Sequence, residues 1–287
     1  MLQKMRVVLA RLAGSTLVLA LFAAPAAAGG FPETASAQAS SITDKRVTES
    51  SSLAISDRYD GVAYTANDEH KPIVYAIDIR SGQVVGTTQL NVSKLGDPEA
   101  LAIDRKGTLW LADLGDNFEN RSDTAIYAFP EAGPGKCTAK AVRYPITYSD
   151  NRSHNVETLL VNPVSGAKYL VSKVRDKGGT LFALPASLKP DVPNVAKDLG
   201  KPMPKRVSDG TFTPDGARAL IRDESRIYVL NPRSWTIVQT VTAPRVLQGE
   251  SVAFEPGELA FLTGSEGNPS PLIWVGFDQS TELVETQ

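Results

Sequence analysis

Five positions invite chemistry first: Ser51, Glu99, Glu157, Asp209 and Glu250. Each opens a short apolar run, and each run is followed by a turn and a second apolar run. If these runs are equivalent strands around one axis, four carboxylates and a hydroxyl converge on a narrow channel. Carboxylates so placed repel one another, and must be part-protonated, solvated, paired with cations or bound to a metal. An all-oxygen set suits a hard cation such as Ca2+, with Glu99, Glu157, Asp209 and Glu250 as its ligands. The same side chains are equally suited to capping backbone amides of neighbouring units and so locking a ring together.

A second set falls at the ends of the second runs: Asn67, Asp68, Asp113, Lys173, Arg222 and Glu266. Lys173 and Arg222 carry the charge to neutralise the acids, or to clamp a carboxylate or phosphate ligand. Asp113-Leu114-Gly115-Asp116-Asn117 continues this set into a loop, which adds Asp116 and Asn117 to the candidate ligand-binding residues. Its spacing departs from the EF-hand pattern, and its Asp side chains are expected to satisfy turn amides, with a ligand site as the alternative. Nucleophilic catalysis finds no support. There is no Gly-x-Ser-x-Gly elbow, and His70 and His154 both fall in loops with no nucleophile in view. Cys137, the sole cysteine, lies in a Gly/Pro/Lys-rich stretch and reads as an inert thiol. No residue is assigned a catalytic role.

The elements that must position these groups are strands. The paired runs recur as Ser51–Ile55 with Gly61–Thr65, Glu99–Ile103 with Gly107–Leu111, and Glu157–Val161 with Ala167–Val171. Asp209–Thr213 with Ala217–Ile221 and Glu250–Phe254 with Glu258–Leu262 complete the series. A third run with a central aromatic follows each pair, as in Ile73–Ala76 and Arg226–Val229, and a more polar fourth follows some, as in Gln83–Gly86 and Thr236–Gln239. Four strands per unit at a period of about 40 to 60 residues is the pattern of propeller blades. The expected fold is therefore an all-β β-propeller of five four-stranded blades, or six if the stretch from Pro185 to Lys205 carries an irregular one. Lys45–Thr48 precedes the first repeat and is expected to close the ring as the missing strand of the last blade.

The N-terminus reads as an export signal. Lys4, Arg6 and Arg11 precede an apolar run from Leu12 to Ala24, and Ala26-Ala27-Ala28 offers a cleavage site, with Ala35-Ser36-Ala37 as a second. The expected organisation is a signal peptide over residues 1–28, a polar disordered leader over 29–41 and a propeller domain over 42–287. One cysteine allows no internal disulfide, and the net charge of -2 with no basic tract argues against nucleic acid as a partner. A secreted, extracellular monomer with no membrane insertion after cleavage is expected, bound to a small-molecule or cell-surface ligand or to a protein partner.

Asp97–Ala102, Gly107–Trp110 and the Asp113–Asn117 run resemble a group of secreted bacterial propeller proteins, common in actinobacteria and mostly uncharacterised. Glu157–Leu160, Thr213–Gly216 and Gln248–Ser251 are similar to the same group, which is itself loosely similar to WD40-like and phytase-like propellers. The resemblance implies a fold and an exported location, and no reaction. Ser51 in place of an acid, and Asp209 in place of glutamate, depart from the pattern. Two functions stand: a non-catalytic binding or scaffold module with a cation in its channel, or a metal-assisted hydrolase of a phosphoester, lactone or sugar.

Overall fold

Short apolar runs punctuated by turn residues give strands throughout. The computed structural model describes residues 36–257 and 260–276, and contains no helix among them. The signal and cleavage sequences up to residue 35 lie outside the described residues.

The strands pair as successive antiparallel meanders. The first is β2 (Ala54–Ile55), β3 (Val62–Ala66), β4 (Ile73–Asp78) and β5 (Val84–Leu90). The second is β6 (Pro98–Ile103), β7 (Thr108–Asp113), β8 (Ala125–Pro130) and β10 (Val142–Tyr148); β9 (Gly135–Ala139) intervenes in the chain. The third runs through β11 (Val156–Val161), β12 (Lys168–Ser172), β13 (Gly179–Ala183) and β14 (Asn194–Met203). The fourth is β15 (Asp209–Phe212), β16 (Ala219–Arg222), β17 (Arg226–Asn231) and β18 (Thr236–Thr242). The last is β19 (Gly249–Phe254), β20 (Ala260–Ser265) and β21 (Ser270–Gly276), completed by β1 (Ser36–Ile42) from the other end of the chain.

The turns between first and second strands need left-handed backbone, and glycine supplies it: φ is 71° at Gly61, 74° at Gly107, 72° at Gly166 and 71° at Gly216. Apolar side chains on both faces of each meander then bury against the next. Leu101 and Phe129 pack with Tyr64 and Val74, Leu159 and Phe182 with Ile126, and Phe212 and Ile221 with Leu160. Val252 and Phe261 pack with Leu220, and Leu262 and Leu272 pack with Leu53 and Ile77. The last meander thus packs on the first, and the inner strands β2, β6, β11, β15 and β19 each contact the next around a common axis.

Three expectations change. The closing strand is Ser36–Ile42, paired antiparallel with β21, so residues 36–41 of the expected disordered leader are ordered. Its Ser and Ala side chains suit an outer edge, which is why they resemble a leader. Lys45–Thr48 is instead a connection, tied by Gly267 N–H to the Thr48 carbonyl (2.9 Å) and by Asn268 Nδ2 to the Asp44 carbonyl (2.8 Å). Cys137, whose Gly/Pro/Lys-rich surroundings suggest a loop, lies on β9, which pairs parallel with β5; its side chain is exposed. The stretch from Pro185 to Lys205 contributes β14, whose Asn194–Ala196 pairs parallel with Ile146–Tyr148 of β10 and joins two meanders at their outer edges.

Candidate cation site at one mouth of the channel

Three of the inner strands carry a β-bulge, and each bulge falls on a glutamate of the sequence series. Pairing slips between Pro98 and Ala100, between Val156 and Thr158, and between Gly249 and Ser251, so Glu99, Glu157 and Glu250 are the extra residues. A bulge re-aims its side chain, here at the start of each inner strand. All three are buried, at 7%, 4% and 6% exposure.

The fourth acid of the series is displaced by one position. Counting back from the far ends of the inner strands, Ser208 aligns with Glu99, Glu157 and Glu250, and with Ser51. Asp209 aligns with Thr158 and Ser251, one layer deeper. There it is fully buried and accepts the Val252 N–H at 2.9 Å. Burial pushes its carboxyl well up, opposed by the backbone N–H groups of Val252, Gly210 and Leu53 and then by Arg222. This carboxylate therefore ties β15 to β19. Asp209 performs the amide-capping role, and its Oδ1 has no hydrogen-bond partner.

Arg222 is also apart from the surface set. It pairs across the strand with Asp209 and is fully buried. It donates to the Ser251 carbonyl (3.1 Å), to Thr263 Oγ1 and to the Asp223 carbonyl (3.2 Å). Burial lowers it to about 10. Gly249 makes this possible, because a Cβ there would overlap Arg222 Nη2. A residue so enclosed is no clamp for a soluble ligand.

The remaining candidates separate into a cluster and its frame. In the cluster, carboxylate oxygens of Asp68, Asp97 and Glu99 lie within 4.8 Å of one another. Lys173 Nζ is bonded to Glu157 and lies 3.9 Å from Glu250. Burial alone would lower Lys173, but Glu157 and Glu250 outweigh it and hold it raised. Glu266 accepts from Gln248 Nε2 and is pushed up to about 7 by burial and by Glu250. Glu157 is also raised to about 7, by burial, against the pull of Lys173. Asp68 reaches about 8, through burial and a hydrogen bond with Glu49. Glu99 is pushed well above the usual range by burial and then by Glu157, Asp97 and Asp68. Asp97 is raised by burial, with Arg121 opposing. A crowd of acids each holding its neighbours' protons on is a site short of positive charge.

The frame holds that crowd in place. Asn67 Oδ1 accepts the N–H groups of Thr48 and Glu49 (both 3.2 Å), and its Nδ2 donates to the Arg46 carbonyl (2.8 Å). Asp113 accepts the N–H groups of Gly96 (2.9 Å) and Asp97 (2.7 Å) and the Arg121 guanidinium (2.9 Å). Asp116 Oδ2 accepts the Arg121 N–H (2.7 Å), and Asn117 Oδ1 accepts from Asn155 Nδ2 (3.4 Å). Asn155 in turn donates to Glu157 (3.0 Å). Gly115 packs so tightly on the cluster that a Cβ would sit 2.5 Å from the Asp97 carboxyl and 2.8 Å from Glu99 Cγ. The Asp113–Asn117 loop thus satisfies amides and braces Asp97 and Glu99. Ser51 Oγ donates to the Pro98 carbonyl at 3.4 Å, another brace. His154 stands aside, bonding Asp150 (3.0 Å) and packing on Tyr148 and Phe182, whereas His70 lies near enough to Asp97 to act on its carboxyl.

Reading the sequence missed Asp97 and Glu49. Both precede inner strands, in segments whose course depends on the bulges and on Asn67. The one available signal was Asp97-Pro98-Glu99, two acids either side of a residue that starts a strand without a free N–H.

No family model matches the chain, and no curated protein sequence matches it. Solved structures do. A crystal structure of a glucose dehydrogenase aligns with a TM-score of 0.52 and 11% identity, over 85% of this chain and all of that one. A second glucose dehydrogenase aligns with a TM-score of 0.52 at 12% identity, over 85% and 100%. The glutaminyl cyclase of Myxococcus xanthus aligns with a TM-score of 0.52 at 13% identity, over 86% and 99%. At such identities the likeness is one of fold, and the chain has an all-β, propeller-like fold. It carries an acidic cluster with the spacing of a metal site.

Proposed function

We propose that the protein is an exported five-bladed propeller acting as a binding module, with a hard divalent cation, Ca2+ first, held by Asp68, Asp97 and Glu99. The observation that carries this reading is the convergence of three carboxylates within 4.8 Å, Glu99 buried and Asp68 and Asp97 half-buried. Burial, with neighbouring acids adding to it, raises all three carboxyl groups, so each resists ionising until positive charge is supplied. The ligand set is narrower than the series suggested. Lys173 already engages Glu157 and Glu250, and Asp209 is committed to backbone. Support for five blades comes from the five inner strands and the packing of the last meander on the first. Export rests on the N-terminal pattern. β1 favours cleavage after Ala28, since cutting after Ala37 would remove Ser36 and Ala37, which pair with Val275 and Trp274.

The test is thermal unfolding of the mature protein with chelator, followed by Ca2+ add-back. A reversible stabilisation by Ca2+ that Glu99→Gln removes supports the reading. Equal melting with and without Ca2+ defeats it.

A second reading has one specific observation in its favour. Glu157 and Glu266 are each pushed up to about 7, mainly by burial, where a carboxyl can exchange protons at neutral pH. With a cation beside them they would support metal-assisted hydrolysis of a phosphoester, lactone or sugar. Turnover of a generic phosphoester or lactone that chelator abolishes would replace the binding reading with this one.

A further inference from the structure

The far end of the same channel is built in the opposite sense. The later residues of β2, β6, β11, β15 and β19 enclose a cavity of about 320 Å3, walled by Ile55, Ile103, Val161, Phe212 and Phe254. Its rim brings together Asp57, Arg58, Asp104, Arg105, Lys106 and Glu131.

Hydrogen bonding decides which of those charges faces a ligand. Glu131 is buried and accepts the hydroxyls of Ser56 (2.5 Å) and Tyr64 (3.2 Å). Asp104 accepts the N–H groups of Lys106 (2.9 Å) and Thr108 (3.0 Å) and Trp110 Nε1 (3.1 Å). Arg105 reaches from the second meander to the fourth and donates to the Pro214 carbonyl at 2.6 Å. Arg58 and Lys106 are exposed, and no described residue takes a hydrogen bond or ion pair from either side chain. Against these two free cations stands Asp57 as the one rim carboxylate without such internal partners.

We propose that this mouth binds a small organic anion with an apolar body. The aliphatic or aromatic part enters between Ile55, Ile103, Val161, Phe212 and Phe254, and the anionic head meets Arg58 and Lys106, with Arg105 beside them. The cavity is at the small end of the range for ligand pockets, so it suits a medium-chain acid or a single aromatic acid rather than a polymer. Asp209 and its backbone donors lie in the layer between this cavity and the acidic mouth. The two sites are chemically independent, and failure of the cation reading leaves this one standing.

Calorimetric titration with sodium octanoate, octylammonium chloride and 1-octanol separates the contributions of head and tail. Octanoate is expected to bind with one-site stoichiometry, octanol weakly, and octylammonium not at all. Arg58→Glu with Lys106→Glu, two exposed changes, should weaken octanoate by about tenfold or more and leave the melting temperature in place. Thr211→Trp, which fills the cavity from β15, should abolish octanoate binding with both cations intact. The proposal is overturned by equal binding of octanoate and octylammonium. An octanoate affinity indifferent to the double charge reversal overturns it too, as does the absence of any heat from millimolar octanoate.

Discussion

Asp209 and Glu99 are neighbours in the layering of the channel, both buried and both raised by burial, yet they do opposite work. Around Asp209 the next groups are backbone N–H donors and a guanidinium. Around Glu99 they are Glu157, Asp97 and Asp68. A carboxylate whose neighbours are amides completes the hydrogen bonding of a ring of strands. One whose neighbours are carboxylates lacks a counter-charge, and that deficit is what a ligand can fill. The comparison teaches that the company a buried acid keeps, more than its burial, separates a lock from a site.

Removing the lock should have the largest effect. Asp209→Ala orphans the Val252 N–H and leaves Arg222 without its cross-strand acid, at a cost of about 2–4 kcal/mol in unfolding free energy. Urea denaturation checks this, and Ca2+ affinity of the surviving fold should be unchanged. If Asp209→Ala instead abolishes Ca2+ binding with little loss of stability, the two regions have been assigned the wrong way round.

The pH dependence comes next. Glu157 and Glu266 rise from 4.5 to about 7, and Asp68 rises from 3.8 to about 8. Between those limits the folded state holds more protons than the unfolded one, so stability falls as pH rises. Melting temperature in chelator should therefore decline from pH 5 to pH 8, and Ca2+ should flatten the decline. A chelated protein that gains stability over that range would contradict the crowding of acids.

Lys173→Met sharpens the comparison from the other side. It removes the cation that shares the mouth with the acids, and should cost about 1–2 kcal/mol, discounted for partial exposure. Ca2+ should bind several-fold more tightly, because a competing positive charge is gone. Smallest of all is Cys137→Ser, an exposed change on β9 that should alter stability by less than about 0.5 kcal/mol and leave Ca2+ binding untouched.

Much of this fold could be read from the chain because its turns are written in glycine. Gly61, Gly107 and Gly216 each sit between apolar runs and fix where strands begin. What escaped reading depends on pairing rather than on local sequence. The bulges at Glu99, Glu157 and Glu250 add a residue to three inner strands and not to β15, so a straight alignment sets Asp209 beside them when Ser208 is the true equivalent. β9 pairs parallel with a strand of the preceding meander, a partnership no periodicity announces. At the site, Glu99 and Asp68 were visible as acids at strand ends. Asp97 and Glu49 were not, because only the folded connections bring them to the mouth.

The central claim is that the mouth lined by Asp68, Asp97 and Glu99 is a cation site. Its most direct test is calorimetric titration of Ca2+ into the mature protein at pH 8, beside Asp97→Asn and Glu99→Gln proteins of confirmed fold. The account predicts one site in the parent protein and an affinity lowered by about tenfold or more in each variant. Absence of binding by the parent, or binding that both variants retain in full, would contradict it.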